Sequence, residues 1–269
     1  MGHNEMLVAR ALRLVRDQVL ISVKFGAQRG PDGAFLGFDG SPAAVKTALA
    51  YSLKRLDVDY IDIYRPARLD PRVPIEDTVG AIADMIKGGY VRYVGLSELG
   101  PETIRRAAAV HPVVDLQIEY SLVSRGPEAA IFPVLDQLGI ATTAYGVLSR
   151  GLLSNSQPAA SGDFRAWLPR FTGDNLASNQ RMVDRLREIA AGKGITQVQL
   201  AIAWVLAKKE SIVPVIGART RTQLKESLGA LHVKLSADDI DAVEAAVPAD
   251  SVAGTRYDEH QMRVLDSEK

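Results

Sequence analysis

Short β-branched runs alternate with amphipathic stretches along nearly the whole chain, and this alternation constrains the fold more than any other feature. The runs lie at residues 19–25, 60–67, 91–97, 113–120, 141–147 and 212–217. Each is rich in Val, Ile or Tyr and bounded by Gly, Pro or polar residues, as buried parallel strands are. Helical patterns separate them. Ser41-Pro42 supplies an N-cap hydroxyl and a first-turn proline, and Val45, Ala48, Leu49 and Leu53 then fall on one face. Residues 74–87 place Ile75, Val79, Ile82 and Ile86 at the same spacing and stop at Gly88-Gly89, a C-cap signal. Helices are also predicted over 5–14, 103–110, 129–138, 178–192, 198–208, 222–231 and 237–247.

Regular βα alternation means a parallel sheet, open or closed into a barrel. An open dinucleotide-binding sheet carries Gly-x-Gly-x-x-Gly after its first strand, and no such motif occurs. Polar residues and glycines gather instead after several different strands, as a site assembled from barrel loops requires. The expected fold is α/β, a (β/α)8 TIM-type barrel lacking its first two strands, with six strands visible and an extra helix at the C-terminal end. Two missing strands leave two sheet edges exposed. The chain therefore pairs through those edges or rearranges, or the sequence is a fragment. Residues 1–269 read as a single domain, with a long insertion over 152–177 and a C-terminal extension making up the length.

Charge narrows the partners. Lys plus Arg and Asp plus Glu number 32 each, so neither nucleic acid nor an anionic membrane is expected. Cysteine is absent, which removes disulfides, thiolate metal sites and cysteine nucleophiles. His3, His111, His232 and His260 show no ligand spacing, and no metal is expected. No apolar run approaches the roughly 18 residues that span a bilayer, and the N-terminus lacks a signal-peptide layout. A soluble, cytoplasmic protein is the expectation.

Several polar residues end strands. Lys24 closes an apolar run; it marks either the solvent end of a strand or a charge aimed into the barrel mouth, where burial lowers its pKa. Ser97 and Gln117 offer a hydroxyl and an amide to clamp a carboxamide, and Tyr145 offers a flat face to an aromatic ring; equally, such groups cap backbone. Residues 146–151 and Gly217-Ala218-Arg219-Thr220-Arg221 follow the last two strands, where barrels hold phosphate. Arg219 and Arg221 suit a phosphate monoester, or are exposed arginines of a tight turn. Within the insertion, Trp167 either faces a substrate or pins a surface excursion.

Val23-Lys24-Phe25-Gly26, Gly95-Leu96-Ser97-Glu98, Leu116-Gln117-Ile118-Glu119-Tyr120-Ser121, Ala144-Tyr145-Gly146-Val147-Leu148-Ser149-Arg150-Gly151 and the stretch 214–227 occur in the order and spacing of one family. With Asn4-Glu5, Leu7-Val8 and Ala11-Leu12, they resemble the aldo-keto reductase superfamily over essentially the whole chain. The likeness is greatest to the bacterial and plant branch that includes pyridoxal reductases and other small-aldehyde reductases. The resemblance implies NADP(H)-dependent reduction of aldehydes or ketones, with a small carbonyl compound as substrate. It makes Lys24 the lysine of a catalytic tetrad, sets Ser97 and Gln117 on the nicotinamide carboxamide, and stacks Tyr145 on the ring. Gly146, Leu148, Ser149, Arg150 and Gly151 would line the pyrophosphate. Gly217, Ala218 and Arg219 would meet the 2′-phosphate, with Gln223, Glu226 and Ser227 around the adenine.

The same resemblance exposes departures. The family's aspartate and proton-donating tyrosine precede the helix that opens at Asn4-Glu5, so both are expected to be absent here. Ala67 stands where a histidine is expected, at the substrate carbonyl. Arg65 shares its side of the strand by alternation and is a candidate to reach the same region. An NADP(H)-binding pseudoenzyme, a regulatory subunit or an inactive fragment are the alternatives to a working reductase.

Overall fold

The computed structural model describes residues 2–154, 156 and 162–269. Eight strands and ten α-helices are assigned among them. In chain order they begin with α1 (His3–Leu12), β1 (Ser22–Phe25), the strands β2 (Ala27–Arg29) and β3 (Phe35–Phe38), and α2 (Pro42–Leu56). Then come β4 (Ile61–Pro66), α3 (Ile75–Lys87), β5 (Val91–Ser97), α4 (Pro101–Val110), β6 (Val113–Glu119), α5 (Pro127–Leu138) and β7 (Ala141–Tyr145). The chain ends with α6 (Gly173–Gly192), α7 (Gln197–Lys208), β8 (Ile212–Pro214), α8 (Arg221–Gly229), α9 (Ala237–Ala246) and α10 (Glu259–Val264).

The six expected strands form one parallel sheet in the order β1-β4-β5-β6-β7-β8. A short helical crossover returns the chain beside the strand it left, so successive strands of this sheet lie side by side. Strands β1 and β8 are the sheet's two edges and do not pair with each other, so the barrel is not closed. The antiparallel β2–β3 hairpin lies where the sequence predicts no strand. Its turn uses Gly33 at φ 84°, a conformation that favours glycine.

Local chemistry sets the helix starts. The Ser41 hydroxyl accepts from Ala44 N–H, with Pro42 at the first turn. Thr196 with Gln199 and Ser236 with Asp239 form reciprocal capping boxes on α7 and α9, each satisfying two orphan donors. One core cluster packs Val45, Leu49, Val79 and Ile82 against β1, β4 and β5; a second gathers Trp204, Leu186, Val183 and Leu200 on the β7–β8 side. Among the described residues no single helix is long and apolar enough to cross a membrane. The insertion predicted over 152–177 includes residues 155 and 157–161, which lie outside the described residues; α6 begins at Gly173, earlier than predicted.

Candidate active site

The parallel register carries the strand-end residues to one mouth. Lys24 on β1 is level with Arg65 on β4, Ser97 on β5 with Gln117 on β6, and Glu119 on β6 with Tyr145 on β7. Glu98, one residue beyond β5, organises the centre. It is fully buried and sits at φ 55°, a left-handed conformation costly for a side-chain-bearing residue and kept only where its surroundings enforce it. Those surroundings are dense. Arg256 grips the carboxylate with two hydrogen bonds of 3.0 and 2.6 Å, the Tyr145 hydroxyl donates at 2.7 Å, Ser267 at 2.8 Å, and the Glu119 backbone N–H at 2.9 Å. Burial pushes the Glu98 carboxyl up, but the hydrogen bonds and charge of Arg256, with help from Arg68 and Tyr145, overcome it and hold the group at about 2.

Glu119 is the second buried carboxylate. It accepts from Arg150 at 3.1 Å and from the Ser124 hydroxyl at 3.0 Å, with Arg170 and Arg256 at 3.7 and 3.6 Å. Gly146, at φ 68°, passes so close that a Cβ there would stand 3.0 Å from Glu119 Cγ. Arg256 and Ser267 belong to the C-terminal segment, which is tied to the turn after β5 by a 2.7 Å bond from Gly100 N–H to Asp266. Tyr257 follows, its hydroxyl 3.4 Å from that of Tyr145.

On the opposite side of Tyr145 the arrangement is sparser. Lys24 Nζ stands 5.8 Å from the centre of the Tyr145 ring. Burial lowers its pKa, the charges of Arg68 and Arg65 lower it further, and Glu98 opposes them. The Arg68 guanidinium lies 3.5 Å from Ser97 Oγ and 3.4 Å from the Tyr145 hydroxyl, and is anchored by a 2.8 Å bond to the Ala67 carbonyl. Burial, then Glu98 and Tyr257, push the Tyr145 phenol above its ordinary range, so it stays protonated.

Beyond Tyr145 opens a cavity of about 830 Å³. Tyr145, Gly146, Leu148, Arg150 and Gly151 form one wall, and Gly217, Arg219, Gln223, Glu226 and Ser227 form another. Ser149 and Ala218 are not on its lining. The chain turns sharply through Ser149, Arg150 and Gly151, at φ 45°, 53° and 99°. Helix α8 starts at this cavity, capped by the Thr220 hydroxyl. Gln223 accepts at 2.9 Å from the Arg219 N–H, so its amide oxygen is engaged with backbone. The buried Gln117 Oε1 and Ser149 Oγ find no hydrogen-bond partner in the protein. A buried polar atom left so is costly, and neither residue is on the cavity's lining. Open space beside Gly217 leaves room for a ligand at the start of α8. The residues present fit a dinucleotide.

The profile of the aldo/keto reductase family matches residues 1–248. The chain belongs to that family. It is 42% identical over 260 residues to a soybean (Glycine max) protein described as "Probable aldo-keto reductase 1", covering 94% of this chain and 74% of that protein. In fold it resembles the glycerol dehydrogenase AKR11B4 of Gluconobacter oxydans, with a TM-score of 0.85 at 24% identity over 92% of this chain and 79% of that one. It also resembles the aldo-keto reductase AKR11C1 of Bacillus halodurans in its holo form, with a TM-score of 0.75 at 26% identity over 97% and 82% of the two chains.

Within this aldo/keto reductase, two sequence expectations need correction. Arg65 does not replace the missing histidine. It is 1% exposed and pairs inside the barrel with Asp115, donating also to Ser22 Oγ at 2.7 Å; an isolated guanidinium in that interior would carry a large desolvation penalty, so the carboxylate across the barrel claims it. Trp167 is 83% exposed and is not on the cavity's lining; Ser154, Ser156, Asp163, Phe164 and Arg165 are the described insertion residues that reach it. Ala67 follows the end of β4 and carries no side-chain donor. Sequence reasoning missed Arg68, Glu98 as an organising charge, Arg256 and Tyr257. Glu98 and Arg68 each adjoin a residue already singled out, a usable signal; Arg256 lies in a segment with no strand or helix periodicity and offered none.

Proposed function

We propose that this oxidoreductase binds NADP(H) and reduces small aldehydes or ketones to alcohols, working in the reducing cytoplasm. One observation carries the reading: Tyr145, Gly146, Leu148, Arg150 and Gly151 after one strand, and Gly217, Arg219, Gln223, Glu226 and Ser227 after another, wall a single cavity. In this reading the cofactor supplies hydride. The chain does the rest. Tyr145 gives the nicotinamide a flat surface, and Glu98 and Arg256 hold that phenol in place. Gln117 and Ser97 face the carboxamide. Arg219, with no carboxylate within ion-pair distance among the described residues, takes the 2′-phosphate at the N-terminal end of α8, where a helix favours anions. Lys24 Nζ, with its lowered pKa, is the acid that this mouth holds toward a developing alkoxide.

Fluorescence titration tests it. NADPH is expected to bind more tightly than NADH, and oxidation of bound NADPH should follow addition of an aldehyde. Equal affinity for both cofactors, or none, would sink the reading. A second reading rests on Ala67, which places no donor at the carbonyl: a binder of NADP(H) without turnover. Tight NADPH binding with no oxidation across a panel of aldehydes would favour it.

A further inference from the structure

The charges of the mouth do not balance. Glu98 and Glu119 are gripped by Arg256, Arg150 and Arg170, and Arg65 is neutralised by Asp115. Lys24 and Arg68 remain. Among the described residues no carboxylate oxygen lies within 4.0 Å of either, and Arg68 has only neutral partners: Ser97, Tyr145 and a backbone carbonyl. Both cations border the Tyr145 ring, and each disfavours the other: Arg68 is the leading charge that lowers the Lys24 pKa. Both feel the buried Glu98 carboxylate at longer range: it works to raise the Lys24 pKa, and its own pKa is lowered in part by Arg68. Neither cation makes an ion pair, a contact that a bound anion would supply. The guanidinium is a planar fork matched to an oxyanion's two oxygens, and Ala67 beside it carries no competing side-chain donor.

We propose that Arg68 holds an oxyanion of the substrate, so that this site selects aldehydes or ketones bearing a carboxylate or phosphate. The inference rests on the reading of this mouth as the carbonyl site, and it names the substrate class. Arg68 is a specificity-determining residue here. The pyrophosphate is assigned to residues 146–151, and Arg68 does not line that cavity.

Two assays on the full chain separate this inference from the cofactor reading. The first compares NADPH-dependent reduction of 4-oxobutanoate with butanal, and of glyceraldehyde 3-phosphate with glyceraldehyde. The anionic member of one pair should be favoured about 10-fold or more in kcat/KM, mainly through KM; the favoured pair identifies carboxylate or phosphate as the group. Arg68→Met should abolish that preference while leaving NADPH affinity and the melting temperature in place, and Arg68→Lys should retain part of it. The second assay needs no turnover. Calorimetric binding of butanoate and inorganic phosphate, against butyramide, is measured with and without NADP+. Anion binding lost in Arg68→Met supports the inference even if no aldehyde is reduced. Anions that bind no better than butyramide, or an Arg68→Met that weakens NADPH as much as the anion, would overturn it. A chain that binds anions at Arg68 but not NADPH would overturn the cofactor reading alone.

Discussion

Two groups of cations share this barrel mouth and have opposite fates. Arg150, Arg170 and Arg256 each meet a buried carboxylate, whereas Lys24 and Arg68 meet none within ion-pair distance among the described residues. The paired group ties the C-terminal segment to β5 and β6 and fixes Tyr145 through Glu98. The unpaired group borders the same residue, with Lys24 Nζ 5.8 Å from the ring centre and Arg68 3.4 Å from the hydroxyl. Satisfied buried charges specify a structure; unsatisfied half-buried ones hold free energy for a ligand. One mouth therefore contains a scaffold half and a binding half, divided at Tyr145.

The sharpest way to break the comparison is Arg256→Met. It leaves Glu98 buried with its chief counter-charge gone, and a loss of about 3–5 kcal/mol is expected, the range for breaking a buried pair. Denaturant unfolding measures it. In the double variant with Glu98→Gln the losses should fall well short of additive, because both changes touch one network; simple additivity would show that the pair is not a unit.

Acid comes next. Glu98 titrates at about 2 when folded against an ordinary 4.5. A depressed folded value contributes stability above pH 4.5 that is lost as pH falls toward 2, on the order of 3 kcal/mol. The melting temperature should drop across that window, and Glu98→Gln should flatten this part of the profile.

Arg219→Ala tests an unpaired cation at the far end of the cavity. NADPH affinity should fall about 10-fold or more, the scale of a charge-assisted hydrogen bond, with NADH little changed. An equal loss for both cofactors would move Arg219 from the 2′-phosphate to the shared part of the molecule. Lys24→Met should matter least to folding: a change in unfolding free energy within about 0.5 kcal/mol. A large destabilisation would place Lys24 in the scaffold half instead.

Much of this was legible in the chain. The six sheet strands, the start of α2 at Ser41-Pro42 and the end of α3 at Gly88 follow from periodicity and capping, which act over a few residues. So did the strand-end positions Lys24, Ser97, Gln117 and Tyr145, because a parallel sheet brings all its C-terminal ends to one side. The hairpin of β2 and β3 was not legible, since its residues are mostly exposed and alternate weakly. Arg65 was misplaced for a different reason. Alternation reports which side of a strand a residue takes, not how far along the barrel axis its guanidinium finds a carboxylate, and Asp115 lies about 50 positions away in sequence.

The sequence by itself determined the class of fold, the family and the two segments that wall the cavity. These depend on local pattern and on an ordered set of motifs. Only the tertiary structure decided which charges are paired. Arg256 reaches Glu98 across 158 positions, while Arg68 ends among neutral groups although it lies one residue beyond the alanine that drew attention first. Ion pairing is a contest among partners brought together by folding, and desolvation penalises every loser. Composition records the equal totals of acid and base; it carries no information on where the surplus falls.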